Sequence, residues 1–353
     1  MPKKRVIVSF DGTWNLPDAK PEIDGDTNTN VEKLHSAILK TCNDGVEQVA
    51  CYLTGVGTNW YDKFRGGIFG VGLDEKIKEG YKFLIEKYAS GDDLFIFGFS
   101  RGAYSARSLV GLIRNSGLLK EANEDRIDEA YHLYRMRDES ADTENAKFFR
   151  NEYAQTDVSI HCIGVWDTVG ALGIPVESFK WFNKALYQFH DTELSGIVKN
   201  AFHALAIDEN RKNYRCTLWD PKKKPNQKME QVWFSGAHSN IGGGYAYSNL
   251  SDIALNWMVK KATDCGLALD YSKIPAVPEN PGPITDSYKE FLDGVYSALE
   301  PRFFREIGST EFGMESIDNT VKKRLKSDPN YKPKNKVDEY LEGAFTPVGR
   351  LEA

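Results

Sequence analysis

"FIFGFSRGAYSAR" spans Phe95 to Arg107 and contains Gly98-Phe99-Ser100-Arg101-Gly102, a G-x-S-x-G pentapeptide. Before it, Leu94–Phe97 is an apolar run that reads as a buried strand. After it, Ala103, Ala106, Val110 and Ile113 fall on one side of a helix. Strand, turn and helix are the context in which G-x-S-x-G raises a serine on a sharp elbow. Gly98 and Gly102 remove the side chains that would collide across that turn. The helix N-terminus beneath Ser100 favours negative charge developing on a bound substrate. The plainer reading is a glycine-flanked turn whose serine caps the helix; the correctly placed strand and helix favour a nucleophile.

Moving outward, short apolar runs alternate with helical patterns. "RVIVSF" (5–10), "EQVACYLTG" (47–55), "VSIHCIGVW" (158–166), "YRCTLW" (214–219) and "EQVWFSG" (230–236) read as further strands. "TNVEKLHSAIL" carries Thr29 and Glu32 in capping-box spacing, and positions 77, 81, 84, 85 and 88 form one helical stripe. Strands apolar on both faces, separated by helices, predict an α/β fold with a mostly parallel sheet and helices on both faces. The chain reads as one domain. Glycine-rich and aromatic insertions at about 55–73 and 170–195 read as covers for the carboxyl edge of the sheet. A charged, proline-bearing segment at about 268–353 reads as peripheral.

A serine nucleophile needs a base, and the base an orienting carboxylate. Of the six histidines, His35 and His132 lie in helical patterns and His161 lies inside a strand. His190 falls in the second insertion, and His203, in "AFHALAIDENR", sits on a helix-like stretch with a structural role. His238 differs, because it follows the last strand in "FSGAHSNIGGGY", where a triad base belongs in an α/β-hydrolase. Asp167, just after the fourth strand, gives the chain order Ser, Asp, His. Asp220 in "LWDPKKK" and Asp252 in "LSDIALNWM" are the alternative acids. For the oxyanion hole, Arg101 N–H is one donor and Gly12 or Thr13, in the loop after "RVIVSF", the other. Asp11 would brace that loop.

Composition sets the outer limits. The 353 residues carry 45 basic and 51 acidic side chains, a net charge of −6 that argues against nucleic acid as a partner. The cysteines (Cys42, Cys51, Cys162, Cys216, Cys265) form no C-x-x-C pair and read as reduced. "GVGTNW" lacks a full dinucleotide fingerprint, and "GGIFGVGL" lacks the Lys-Ser/Thr of a P-loop. No cluster has metal-ligand spacing, so neither a cofactor nor a metal is expected. "MPKKRVIVSF" is too short an apolar stretch for a signal peptide, and no run approaches the ~18–20 residues of a membrane helix. The expectation is a cytoplasmic protein, or one exported by a route that needs no signal peptide.

Seven segments recur in order: "VSFDGTWN", "LTGVGT", "GFSRGAYSAR", "GVWDTVGALG", "ALAIDENR", "VWFSGAHSNIGGGY" and "LSDIALNWM". From about Val8 to Met258 the chain resembles the α/β-hydrolase domain family of unknown function allied to type VI secretion phospholipase effectors. The resemblance implies an α/β-hydrolase fold, a Ser-Asp-His triad and phospholipase or lipase activity. By it Ser100 maps to the nucleophile, His238 to the base and Asp167 to the acid. The expected function is serine ester hydrolysis on lipid or phospholipid acyl esters, with transient contact at a membrane surface. An esterase, thioesterase or polyester hydrolase, or a catalytically silent interaction protein, are the alternatives.

Overall fold

The strand before the serine, β3 (Asp93–Phe99), lies near the middle of a seven-stranded, all-parallel sheet. The computed structural model describes residues 3–12, 27–42, 44–55, 69–136, 140–155, 157–170, 193–220, 226–310 and 315–341. The other strands are β1 (Lys4–Phe10), β2 (Glu47–Leu53), β4 (Ile160–Trp166), β5 (Val198–Ala206), β6 (Lys228–Phe234) and β7 (Glu315–Ile317). Their spatial order is β2-β1-β3-β4-β5-β6-β7. The order reverses once, at β1, and then grows in one direction. This is an α/β fold, as the alternation of apolar runs predicts.

Side-chain alternation explains why the strands read as unbroken apolar runs. Val6, Val8, Leu94 and Ile96 point into one core; Ile7, Phe95 and Phe97 point into another, on the opposite face. Helices cover both faces, so neither set meets water. The first core is closed by α2 (Phe69–Lys87) and α3 (Arg101–Ser116), and the second by α1 (Asn30–Ser36) and α7 (Asn249–Asp264). Between α3 and β4 run α4 (Glu124–Arg135) and α5 (Glu144–Tyr153); α6 (His238–Gly242) follows β6. Truncating a side chain such as fully buried Phe95 to alanine should cost about 3–5 kcal/mol.

Three expectations need correction. "YRCTLW" is not a sheet strand: Lys212–Tyr214 form a 3₁₀ turn, and Cys216 makes only an isolated bridge to Val169. The fifth strand is instead Val198–Ala206, so His203 lies in a strand and not on a helix. The segment after 268 is not merely peripheral. It supplies β7, which pairs in parallel with β6 (Gln231↔Glu315), and a third apolar cluster joins Trp233 to Ile307, Ile317 and Val321. Most of both predicted covers, residues 56–68 and 171–192, lies outside the described residues.

Candidate active site

Ser100 sits between β3 and α3 with φ 58° and ψ −120°, a conformation that L residues rarely adopt. The turn is locked from three sides. Ser100 N–H donates to Trp166 O at the end of β4 (3.0 Å). A Cβ on Gly98 would lie 2.5 Å from Gly102 O, and one on Gly102 would lie 2.3 Å from Phe10 O. Both distances are impossible for real atoms, so only glycine lets β3, α3 and the end of β1 approach this closely. Ser100 makes no side-chain capping bond to α3, which removes the plainer reading of the motif.

The Ser100 hydroxyl instead meets His238 Nε2 at 2.8 Å. His238 opens α6, immediately beyond β6. Its other nitrogen, Nδ1, lies 2.6 Å from Asp167 Oδ2. Asp167 follows β4 with φ 39°, a second strained non-glycine backbone at the same edge of the sheet. Ser100, His238 and Asp167 are all buried. The ring of His238 packs against Phe99 (centroids 4.7 Å apart) and edge-on against Tyr214 (5.0 Å).

Two buried ion pairs frame the imidazole. Arg305 grips Asp167 bidentately, Nη1 to Oδ1 at 2.6 Å and Nη2 to Oδ2 at 2.9 Å. Glu209, just past β5, holds Arg211 through Nε and Nη2 (both 2.8 Å) and accepts His238 N–H at 3.2 Å. Burial would raise the pKa of Asp167, but Arg305 and His238 outweigh it and hold the carboxyl well below its ordinary range. Glu209 behaves likewise: burial opposes ionisation, and Arg211 overrides it to bring the pKa down to about 2. Burial lowers the pKa of His238, against the raising effect of Asp167. The neutral imidazole is therefore the favoured form.

The alternative acids lie elsewhere. Asp252, near the start of α7, pairs with the buried Lys33 ammonium (3.1 Å) and accepts from Ser248 Oγ (2.7 Å). Asp220 lies in a bridge with Glu193. Asp11 does brace its loop: Oδ1 accepts Gly12 N–H at 2.6 Å, and Oδ2 accepts from the Thr29 and Tyr52 hydroxyls. Gly12 N–H is thus engaged by Asp11 rather than presented to a ligand. Thr13 lies outside the described residues, and Arg101 is the first residue of α3. Among the described residues no group of His, Cys, Asp or Glu could hold a metal ion, and no helix is long and apolar enough to cross a membrane.

Sequence reasoning missed Arg305, Glu209, Arg211 and Tyr214 as neighbours of the site. "IDENR" held a faint signal, since a Glu and an Arg two apart just beyond an apolar run can pair around a turn. Nothing in the local sequence marks Arg305, which meets Asp167 across 138 positions.

Comparison with known proteins shows the family to which the chain belongs. The model of the T6SS phospholipase effector Tle1-like catalytic domain matches residues 4–261. An uncharacterized protein of Saccharomyces cerevisiae, YEL023C, is 25% identical over 345 residues, covering 89% of this chain and 48% of the yeast protein. Two solved structures share 20% identity with the chain. One is an uncharacterized protein from Pseudomonas aeruginosa (TM-score 0.41), aligned over 78% of this chain and 48% of that one. The other is a Tle1 effector bound to the VgrG spike of the type VI secretion system (TM-score 0.40), aligned over 69% and 52%. The chain thus spans about half the length of each of these proteins. With the match extending over most of its length, the chain belongs to the family of Tle1-like phospholipase effector catalytic domains of type VI secretion.

Proposed function

We infer that the protein is a serine hydrolase that cleaves acyl esters of lipids through an acyl-enzyme. The observation that carries this reading is the hydrogen-bonded chain Ser100 Oγ–His238–Asp167, with spacings of 2.8 and 2.6 Å. His238 takes the Ser100 proton as the oxygen attacks the ester carbonyl, then returns it to the departing alcohol. Asp167 fixes the imidazole tautomer and stabilises the imidazolium. Arg101 N–H, at the start of α3, stabilises the oxyanion. With Gly12 N–H engaged by Asp11 Oδ1, the second donor in this reading is Thr13 N–H, the other residue that the sequence offers. Water, activated by the same histidine, then releases the acid. Membership of a phospholipase effector family supports a lipid ester as substrate. The geometry supports attack by serine.

The test is hydrolysis of mixed glycerophospholipid vesicles, with free fatty acid and free head group read separately by mass spectrometry. Wild type should release fatty acid, and Ser100→Ala should lose about 10⁴- to 10⁶-fold in rate. Head-group release alone, or full activity in Ser100→Ala, would overturn the reading.

A further inference from the structure

Arg305 is fully buried, lies beyond the family-matched residues, and spends its guanidinium on the active-site edge. Besides the two bonds to Asp167, Nη1 donates to Ala206 O at 2.9 Å and Nη2 to Tyr214 O. It thereby ties the ends of β4 and β5 and the turn carrying Tyr214, whose ring faces His238. Asn335 Nδ2 in turn donates to Arg305 O (3.2 Å) and Ile207 O (2.9 Å), holding the arginine's own backbone. We propose that Arg305 is a positioning residue of the catalytic site: it locks the Asp167 carboxylate toward His238 and draws part of that carboxylate's charge away from the imidazole. The inference rests on the serine hydrolase reading and extends it to the segment beyond α7.

The physical reason is a competition for one anion. In a simple Asp-His pair, the carboxylate stabilises the imidazolium without rival. Here a guanidinium holds both oxygens in its fork. The fork removes the freedom of Asp167 to rotate away from Nδ1. The cation also makes a second positive charge beside it less favourable. The other groups facing the imidazole are Ser100 at the elbow, and Glu209, Arg211 and Tyr214 beyond β5. Glu209 and Arg211 form a pair whose charges largely cancel. Around Asp167, burial pushes Cys216 up to about 11 and holds His203 down to about 3, so both are neutral near pH 7. Arg305 is therefore the added cation that sets this site apart from an unassisted Asp-His pair.

The test compares wild type, Arg305→Gln and Arg305→Lys by the rate of fluorophosphonate labelling at Ser100 between about pH 4.5 and 8. The acid-side midpoint is read on labelled molecules, so it does not depend on how much protein folds. Arg305→Gln should label about tenfold or more slowly at neutral pH, with its midpoint moved up by about one unit. Arg305→Lys keeps the charge and gives up the fork, so it should label slowly with a midpoint close to wild type. A wild-type midpoint in Arg305→Gln, or a wild-type rate in Arg305→Lys, overturns the proposal. Should Arg305→Gln yield no folded protein, Arg305→Lys decides by rate. Wild type that does not label at Ser100 overturns the hydrolase reading itself, and that result is separate from either Arg305 outcome.

Discussion

At the scale of single residues, the proposed chemistry turns on the protonation of His238. Burial outweighs the attraction of Asp167, so the imidazole's pKa lies below its ordinary value. In the proposed mechanism the active form is the neutral base. Activity is therefore present above the His238 pKa and lost as pH falls through it. The acid limb of kcat/KM should have its midpoint below ~6.5, the unperturbed imidazole value. A pH profile on a soluble short-chain ester checks this; a midpoint above ~6.5 contradicts it. Asp167→Asn should lose rate by about 10⁴-fold in the protein that folds, because the amide stabilises neither the tautomer nor the imidazolium, and it should destabilise the fold by leaving the buried Arg305 guanidinium without its anion. Steady-state kinetics on purified protein measures that loss.

At the scale of elements, the serine elbow exists because the ends of β1, β3 and β4 and the start of α3 crowd together. At Gly102 the carbonyl of Phe10 lies where a Cβ would be. Gly102→Ala should push α3 away from β1. The expected cost is at least about 2–3 kcal/mol, read by urea denaturation, together with loss of activity in the protein that still folds. This crowding was legible beforehand, because glycines flanking a serine between an apolar run and a helical stripe have a steric meaning. So were β1, β3 and β6, whose runs of Val, Ile and Phe suit buried strands. β5 was not legible: "VKNAFHALA" holds three alanines, a lysine and a histidine, a composition that suits a helix. Burial between β4 and β6 overrides that propensity. "YRCTLW" misled in the opposite sense. Its β-forming residues run as a half-buried connection whose carbonyls at Thr217 and Leu218 accept from Arg107.

At the scale of the whole molecule, the segment beyond α7 closes the sheet and reaches back to the catalytic edge. Glu315, at the start of β7, accepts four hydrogen bonds. They come from Trp233 Nε1 (2.6 Å), Gly308 N–H (2.9 Å), and Thr310 N–H and Oγ1 (3.0 and 2.9 Å). That carboxylate fastens the strand carrying Trp233 to the loop that follows Arg305. Glu315→Ala should leave buried donors without acceptors and cost about 3 kcal/mol, read by thermal and urea melts. Activity should fall with it, since Arg305 rides on the loosened loop. Such ties could not be read from the sequence, because a three-residue strand and contacts spanning 82 to 138 positions leave no local pattern.

The most direct test of an activated serine is intact mass after incubation with a fluorophosphonate, on wild type, Ser100→Ala and His238→Ala. A hydrogen-bonded Ser100–His238–Asp167 chain predicts one adduct on wild type, none on Ser100→Ala and greatly slowed labelling of His238→Ala. No adduct on folded wild type, or an adduct that persists in Ser100→Ala, would contradict it.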